Sequence, residues 1–157
     1  MPWLTELLDS IAGNFVVDLI KVIVTFVLTF PIAYNRERST QIMGLRTYPL
    51  VSITTCAVLL VAQTAFAGES HSEQARVVQG ILAGMGFIGG GAILKKEDRV
   101  LGTASAATIW TSGALGITVA FGRYDLAVLL SIVTLAILRW FTPLKEVMAE
   151  NDVETLR

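Results

Sequence analysis

The sequence predicts an all-α membrane protein: a polytopic helical bundle of five transmembrane helices with a short N-terminal interfacial helix. Its 157 residues are 54% hydrophobic and 16% charged, with a mean hydropathy of +0.65, whereas soluble domains average about 25% charged residues. The apolar residues form blocks instead of the alternating faces of a soluble domain. One block, residues 80–94, contains six of the 13 glycines and no charge. Such a run suits lipid, where the backbone must bond to itself.

An amphipathic segment, residues 1–14, opens the chain. Apolar side chains recur there at helical spacing between Trp3 and Ile11, with Glu6 and Asp9 among them. This pattern predicts a short helix that lies in the membrane interface. A signal peptide is not expected, because the segment has no basic start and no cleavage site.

Five apolar blocks follow, and each approaches the roughly 20 residues that cross about 30 Å of hydrocarbon. The predicted spans are residues 15–34, 47–67, 76–94, 103–121 and 126–141. The last span is the shortest, so we expect it to tilt or to have its ends snorkel. Residues 142–157 are expected to form a short cytoplasmic tail.

Lysines and arginines in the loops predict the orientation. Nine of them fall in the loops 35–46 and 95–102 and in the C-terminal part of the chain, against only Arg76 and Arg123 on the opposite side. The positive-inside rule therefore predicts that the N-terminus is outside and the C-terminus is cytoplasmic. The odd number of spans requires the same arrangement.

The glycines of the third span allow close approach to another surface. Gly84, Gly86 and Gly89 match the spacing of a dinucleotide-binding loop, but the strand and turn that this motif requires are missing from the sequence around them. Gly80 with Gly84, and Gly86 with Gly90, instead form two small-xxx-small patterns. We expect this face either to self-associate or to pack against the fourth span.

The fourth span offers a matching surface of small residues. Its Thr108 can hydrogen-bond across helices or back to its own turn. A different role for the third span comes from the three consecutive glycines at 89–91. They can break the helix, and broken helices are where transporters expose backbone groups to ions.

Charges in or near the spans need a reason, because they are costly there. Asp18 and Lys21 lie three residues apart, share a helical face and are predicted to form a charge pair. That pair either snorkels at the interface or marks a polar pathway or partner contact. Arg36, Glu37 and Arg46 surround the next loop. They either anchor the inner leaflet or form a cytoplasm-facing cluster in which an arginine holds Glu37.

Composition argues against several other kinds of chemistry. Cys56 is the only cysteine and His71 the only histidine, so disulfides, cysteine-based metal sites and imidazole chemistry are not expected. No nucleophile–base pair or metal-ligand cluster is visible, which argues against an enzyme. The few carboxylates permit a Mg²⁺ site without indicating one, so no metal or cofactor is predicted. The net charge of −1 gives no indication of nucleic-acid binding.

Three segments together resemble the signatures of the MgtC/SapB family of bacterial inner-membrane proteins. The first is Arg36-Glu37 followed by Gly44-Leu45-Arg46-Thr47, the second is residues 84–94 with Arg76 before it, and the third is Gly102 followed by residues 106–110. The resemblance covers roughly residues 30–125. It departs from the family at Gly80, where a glutamine is usual, and many members continue into a C-terminal ACT-like domain. We therefore expect this chain to represent the membrane domain only.

The resemblance implies a membrane protein linked to growth in low magnesium, acid stress and survival inside host cells. It implies a non-enzymatic regulator that acts on other membrane machinery such as the ATP synthase, or alternatively a transporter or channel for Mg²⁺, protons or another small solute. A homo-oligomer in the bilayer, most simply a dimer, is expected. The candidate binding cluster is Arg36, Glu37, Arg46, Thr47 and Arg76. The candidate packing or ligand groove is Gly80, Gly84, Gly86, Gly89, Gly90, Gly91, Gly102, Thr108 and Trp110.

Overall fold

The computed structural model describes the backbone of residues 2–39, 43–67, 71–96 and 99–155, and the side chains of 14–39, 43–67, 72–95 and 100–141. Its helices are α1 (Pro2–Ser39), α2 (Thr47–Ala65), α3 (His71–Gly91), α4 (Thr103–Ala120) and α5 (Tyr124–Thr155). A short antiparallel hairpin joins α3 to α4. Its strands are β1 (Leu94–Lys96) and β2 (Arg99–Leu101), with Leu94 opposite Leu101. The structure confirms the all-α bundle that the sequence predicts.

The centre of the bundle is α4, which contacts α1, α2, α3 and α5. Its glycines explain how one helix can have so many neighbours. Gly116 lies against the backbone of α2 at Ser52, and a side chain there would overlap the Ser52 carbonyl. Gly113 lies against the side chain of Met85 on α3, which occupies the space that a side chain at Gly113 would need. Close helix approach in this protein therefore depends mainly on the small residues of α4.

The buried apolar residues form two clusters. The larger joins α1, α2, α4 and α5 around Leu59, Leu115 and Val119. The smaller joins the end of α1, the start of α2, the end of α3 and the start of α4 around Tyr48 and Ile109. The smaller cluster lies at the end of the bundle that carries the sequence motifs.

Within the residues that the structure describes, three helical segments are long and apolar enough to cross a membrane. They are Asn14–Ser39, Thr47–Ala65 and Tyr124–Phe141. The other two helices are richer in glycine, alanine, serine and threonine, which lowers their hydropathy. On α4 the polar residues Ser105, Thr108 and Ser112 are buried against the neighbouring helices. Spans through α3 and α4 stay predictions of the sequence.

Several boundaries differ from the sequence prediction. The helix α1 continues without a break past residue 14, so the predicted interfacial segment and the first span form one helix. The helix α5 runs on to Thr155 through most of the predicted tail. The hairpin lies in the loop predicted at 95–102. The helix α3 is continuous through the three glycines and ends directly after them, so these glycines terminate the helix and do not interrupt it.

Candidate functional site at the motif-bearing end of the bundle

The three motifs of the sequence meet at one end of the bundle. Ala33, Tyr48, Ala92 and Ala106 belong to a single buried cluster. Ala33 lies one turn before Arg36 on α1, Ala92 directly follows α3, and Ala106 lies in the first turn of α4. Segments that are far apart in the chain therefore surround one small region, which we call the motif end.

The guanidinium of Arg36 is the buried charge of the motif end. Its side chain is only 3% exposed, and Nη2 donates a hydrogen bond of 2.9 Å to Oγ of Ser105, which is fully buried. This bond joins α1 to α4 across 69 positions of sequence. An arginine that anchors a helix in the headgroups keeps its charge exposed, so Arg36 does not have that role. From sequence alone, Ser105 is only one of the small residues of the fourth span, because a small hydroxyl residue on a helix carries no signal of its partner.

Glu37 points away from this bond, toward the residues that directly precede α2. Its Oε2 accepts a hydrogen bond of 2.9 Å from the backbone N–H of Leu45. Gly44 lies directly against the carboxylate, which occupies the space that a side chain at Gly44 would need. The Arg36-Glu37 and Gly44-Leu45 parts of the first motif are therefore in contact.

The predicted cluster in which Arg36 or Arg46 holds Glu37 is not the arrangement found. Consecutive residues on a helix point to different faces, so Arg36 turns inward while Glu37 turns toward the loop. Arg46 is the exposed N-cap residue of α2, and its side chain forms no capping bond. Among the described side chains it forms no ion pair with Glu37. Thr47 lies half-buried at the start of α2.

The opposite end of α4 is held by two polar side chains. Nζ of Lys21 donates to the carbonyl of Ala120 at 3.1 Å, and Nε2 of Gln63 donates to the same carbonyl at 3.3 Å. The last carbonyls of a helix lack intrahelical donors and carry its negative dipole end, so a lysine is well placed there. The predicted pair of Asp18 with Lys21 is not formed within the described part of the chain.

Hydroxyl groups line the interior between these two ends. Thr25 donates to the carbonyl of Lys21 and Thr29 to that of Thr25, both at 2.8 Å. Oγ1 of Thr29 also lies 3.0 Å from Oγ of Ser52 on α2. Among the side chains that the structure describes, the buried polar ones are hydroxyls and Arg36, and none is a carboxylate. The interior is therefore weakly polar and has a cation near each end.

Two buried hydroxyls have unused hydrogen-bonding capacity. The hydroxyl of Tyr48 and Oγ of Ser112 lack a partner in the described part of the structure, and both residues are fully buried. Tyr48 packs in the smaller cluster beside Ala106, at the level of the Arg36 bond. A buried hydroxyl without a partner costs roughly 1–3 kcal/mol, so a small polar molecule or water at either site would be stabilised.

The glycine face of α3 is predicted either to self-associate or to pack against the fourth span, and the structure divides its glycines between an α4 contact and open space. The helices α3 and α4 are in contact, as expected, but Gly89 is the α3 glycine that packs on α4, against Ala106. Gly102 has a φ of +85° and lies against the carbonyl of Ala92, which only glycine permits. The remaining α3 glycines face open space, namely Gly80, Gly84, Gly86, Gly90 and Gly91.

Of three further predicted residues, two are exposed or half-exposed and one forms a hydrogen bond within its own helical turn. Arg76 is exposed near the start of α3, and at 1.5 Å per residue it is about 22 Å from the end of that helix. Thr108 is buried and donates to the carbonyl of Ala104 in its own turn at 2.7 Å. Trp110 is half-exposed on the outer side of α4. Among the described residues, no group of three or more histidine, cysteine, aspartate or glutamate side chains could hold a metal ion.

Comparisons with known proteins match most of the chain. The sequence profile of the MgtC family matches residues 22–147. The putative magnesium transporter YhiD of Escherichia coli K12 is 28% identical over 128 residues, which cover 78% of this chain and 60% of YhiD. Protein SrpB of Synechococcus elongatus is 33% identical over 74% of this chain and 70% of SrpB. Protein MgtC of Brucella abortus is 32% identical over 78% of this chain and half of its own length. No solved structure matches with significance.

Proposed function

The chain belongs to the MgtC family, and from this premise we propose that it is a non-enzymatic regulator of ion and proton homeostasis in the bacterial inner membrane. It acts through helix contacts with other membrane machinery during adaptation to low magnesium or acid, including survival inside a host. The proton-driven ATP synthase is the partner class that the family resemblance favours. The N-terminus faces outside and the C-terminus the cytoplasm. Because the chain spans only 60% of YhiD, the proposal concerns the membrane domain.

The observation that carries this proposal is the absence of carboxylates from the buried polar side chains that the structure describes. Those side chains are hydroxyls and Arg36. A path for Mg²⁺ through one copy of this bundle would need carboxylates facing inward. The interior therefore favours a regulator over a magnesium channel.

The outward face of α3 supports a role in helix contacts. Gly80, Gly84, Phe87 and Gly91 recur at helical spacing on one face, and each of the three glycines has open space beside it. Phe87 is 87% exposed among them. A projecting ring between flat glycine surfaces suits the docking of another helix, from a second copy or from another membrane protein.

A transporter is the second candidate, and two observations favour it. The Escherichia coli relative is named a putative magnesium transporter, and the hydroxyls of Tyr48 and Ser112 have unused hydrogen-bonding capacity. A column of hydroxyl groups suits protons or a neutral or anionic solute better than Mg²⁺, because it offers no compensating negative charge.

Two measurements test the regulator proposal. Liposomes that contain only the purified protein should show no more Mg²⁺ or proton flux than empty liposomes, and flux above that level would establish the transporter instead. Co-purification from membranes should recover a membrane complex with the wild type and lose it with Gly84→Leu, which fills the open face. Val133→Leu, a change on the lipid-exposed face of α5, is the matched control and should retain the complex. Recovery of the same complex with Gly84→Leu would contradict a role for this face.

A further inference from the structure

A second polar site lies between α1 and α5, on the outside of the bundle at the motif end. It is a cavity of about 270 Å³ lined by Pro31, Tyr34, Asn35, Arg38, Leu135 and Arg139. The four α1 residues share one helical face, because they are spaced by three and four positions. Leu135 and Arg139 are four positions apart on the facing side of α5. We call this cavity the α1–α5 pocket.

The charged residues among the described lining of the α1–α5 pocket are basic. They are Arg38 and Arg139, both exposed, and no carboxylate lines the pocket within the part of the chain whose side chains the structure describes. The guanidinium carbon of Arg38 lies 4.9 Å from the centre of the Tyr34 ring, and this cation–π contact orients its planar fork. Two guanidinium groups and the amide of Asn35 therefore present hydrogen-bond donors to one cavity. Such forks match the geometry of a phosphate group.

The surroundings of the pocket indicate the level of the lipid headgroups. Tyr34, Trp140 and Phe141 are exposed beside it, and exposed aromatic rings in membrane proteins concentrate at the headgroup level. About one turn away from the pocket, toward the middle of the helices, Val27 and Ile132 are exposed. A molecule bound in the pocket thus meets a basic region at one end and a continuous apolar surface at the other.

We propose that the α1–α5 pocket binds an anionic glycerophospholipid, with Arg38 and Arg139 clamping the phosphate and the acyl chains lying along α1 and α5. Basic pockets between transmembrane helices are a recurring means of recognising anionic headgroups. Soluble phosphate shares the headgroup chemistry but gains nothing from the apolar surface below the arginines. The site is independent of the hydroxyl-lined interior and of the open face of α3.

Lipid binding to the full chain in detergent tests the proposal. Phosphatidylglycerol and phosphatidylcholine with identical acyl chains are titrated separately, and bound lipid is counted by native mass spectrometry. The wild type should prefer phosphatidylglycerol. A basic side chain near an anionic surface contributes enough for about a fivefold change in affinity, so R38Q/R139Q should bind phosphatidylglycerol roughly thirtyfold more weakly. Its affinity for phosphatidylcholine should not change.

The matched control is R123Q. Arg123 is an exposed arginine at the opposite end of the bundle, 2.9 Å from Asp125, and its loss should change phosphatidylglycerol binding by less than twofold. An equal loss in R123Q and R38Q/R139Q would overturn the proposal, as would equal wild-type affinity for the two lipids. If the double variant does not fold, R38Q and R139Q are measured singly, and an unchanged affinity in both refutes the clamp.

Inorganic phosphate distinguishes the two sources of the same chemistry. We expect millimolar phosphate to leave bound phosphatidylglycerol in place, because the lipid has additional apolar contacts with the helices. Displacement of the lipid by phosphate at equal concentration would show that the pocket serves a soluble anion, and would overturn the assignment to lipid.

Discussion

Replacing Ser105 by alanine tests whether the bond between α1 and α4 holds the motif end together. The change removes one acceptor of a guanidinium that is 3% exposed, while the volume of the site hardly changes. Hydrogen bonds to charged groups contribute about 1.5–3 kcal/mol in soluble proteins. Bonds between membrane helices average about 0.6 and reach about 1.7 kcal/mol. Because this donor is charged and both residues are buried, we expect a loss near the top of the membrane range, about 1.5 kcal/mol.

Arg36→Met removes the guanidinium itself, and with it the hydrogen bond to Ser105. Removing one member of a buried charged interaction leaves the groups that it contacted without their partner. We therefore expect Arg36→Met to lower the free energy of unfolding by at least as much as Ser105→Ala does. In the double variant, the serine change should cost almost nothing further, which gives a coupling free energy of at least about 1 kcal/mol.

The assay is reversible unfolding of the purified protein in mixed micelles, followed by circular dichroism, with all three variants and the wild type measured together. Activity in a complementation assay at low magnesium is recorded in parallel. If the serine change costs the same stability in the wild type and in Arg36→Met, the two side chains are not coupled. The bond then does not hold α1 to α4. If Arg36→Met is stable but inactive, the guanidinium serves function in addition to packing.

Of three further predictions, the first and the third use the same unfolding assay, and the second uses hydrogen exchange. Gly116→Ala should destabilise the protein by about 1–3 kcal/mol because the new methyl group overlaps the α2 backbone. Gly86→Ala is the control: Gly86 faces open space, so this change should be neutral or stabilising by up to about 1 kcal/mol. Equal effects of the two changes would refute the role of α4 glycines in packing. Glu37→Ala should speed hydrogen exchange of the Leu45 amide by removing its acceptor, and Glu37→Gln, which keeps an acceptor oxygen, should not. Lys21→Met should cost about 1 kcal/mol by removing one of two side-chain donors from the last carbonyl of α4. An unchanged stability would refute this contribution of Lys21.

Much of the helix arrangement follows from local sequence. The predicted starts of the second and fourth spans, residues 47 and 103, coincide with the first residues of α2 and α4. These starts are marked by abrupt changes from polar or charged loops to apolar runs. The hairpin between α3 and α4 has strands of three residues, which are too short to show an alternating pattern. The continuity of α1 past residue 14 was also missed, because amphipathic and fully apolar segments can share one helix without a boundary signal.

The sequence likewise predicted some residues of the candidate site and missed others. Arg36 and Glu37 were found from the sequence because charges beside apolar spans are rare and costly. Their partners, Ser105 and the Leu45 backbone, were missed because nothing local distinguishes a hydroxyl that meets a buried cation from one that does not. The glycine-rich face of α3 was expected either to self-associate or to pack on α4. In the structure one glycine of that face packs on α4, and Gly113 and Gly116 of α4 make the closer contacts.

The sequence by itself determined the bundle class, the approximate helix positions and the membership of the chain in its family. These depend on transfer of apolar side chains out of water and on short motifs, and both are properties of contiguous residues. Only the tertiary structure decided that Arg36 is buried, that Lys21 reaches α4 instead of Asp18, and that most α3 glycines face outward. The physical reason is that burial depends on which helix faces meet, and those faces come from positions as far apart as the 69 residues between Arg36 and Ser105.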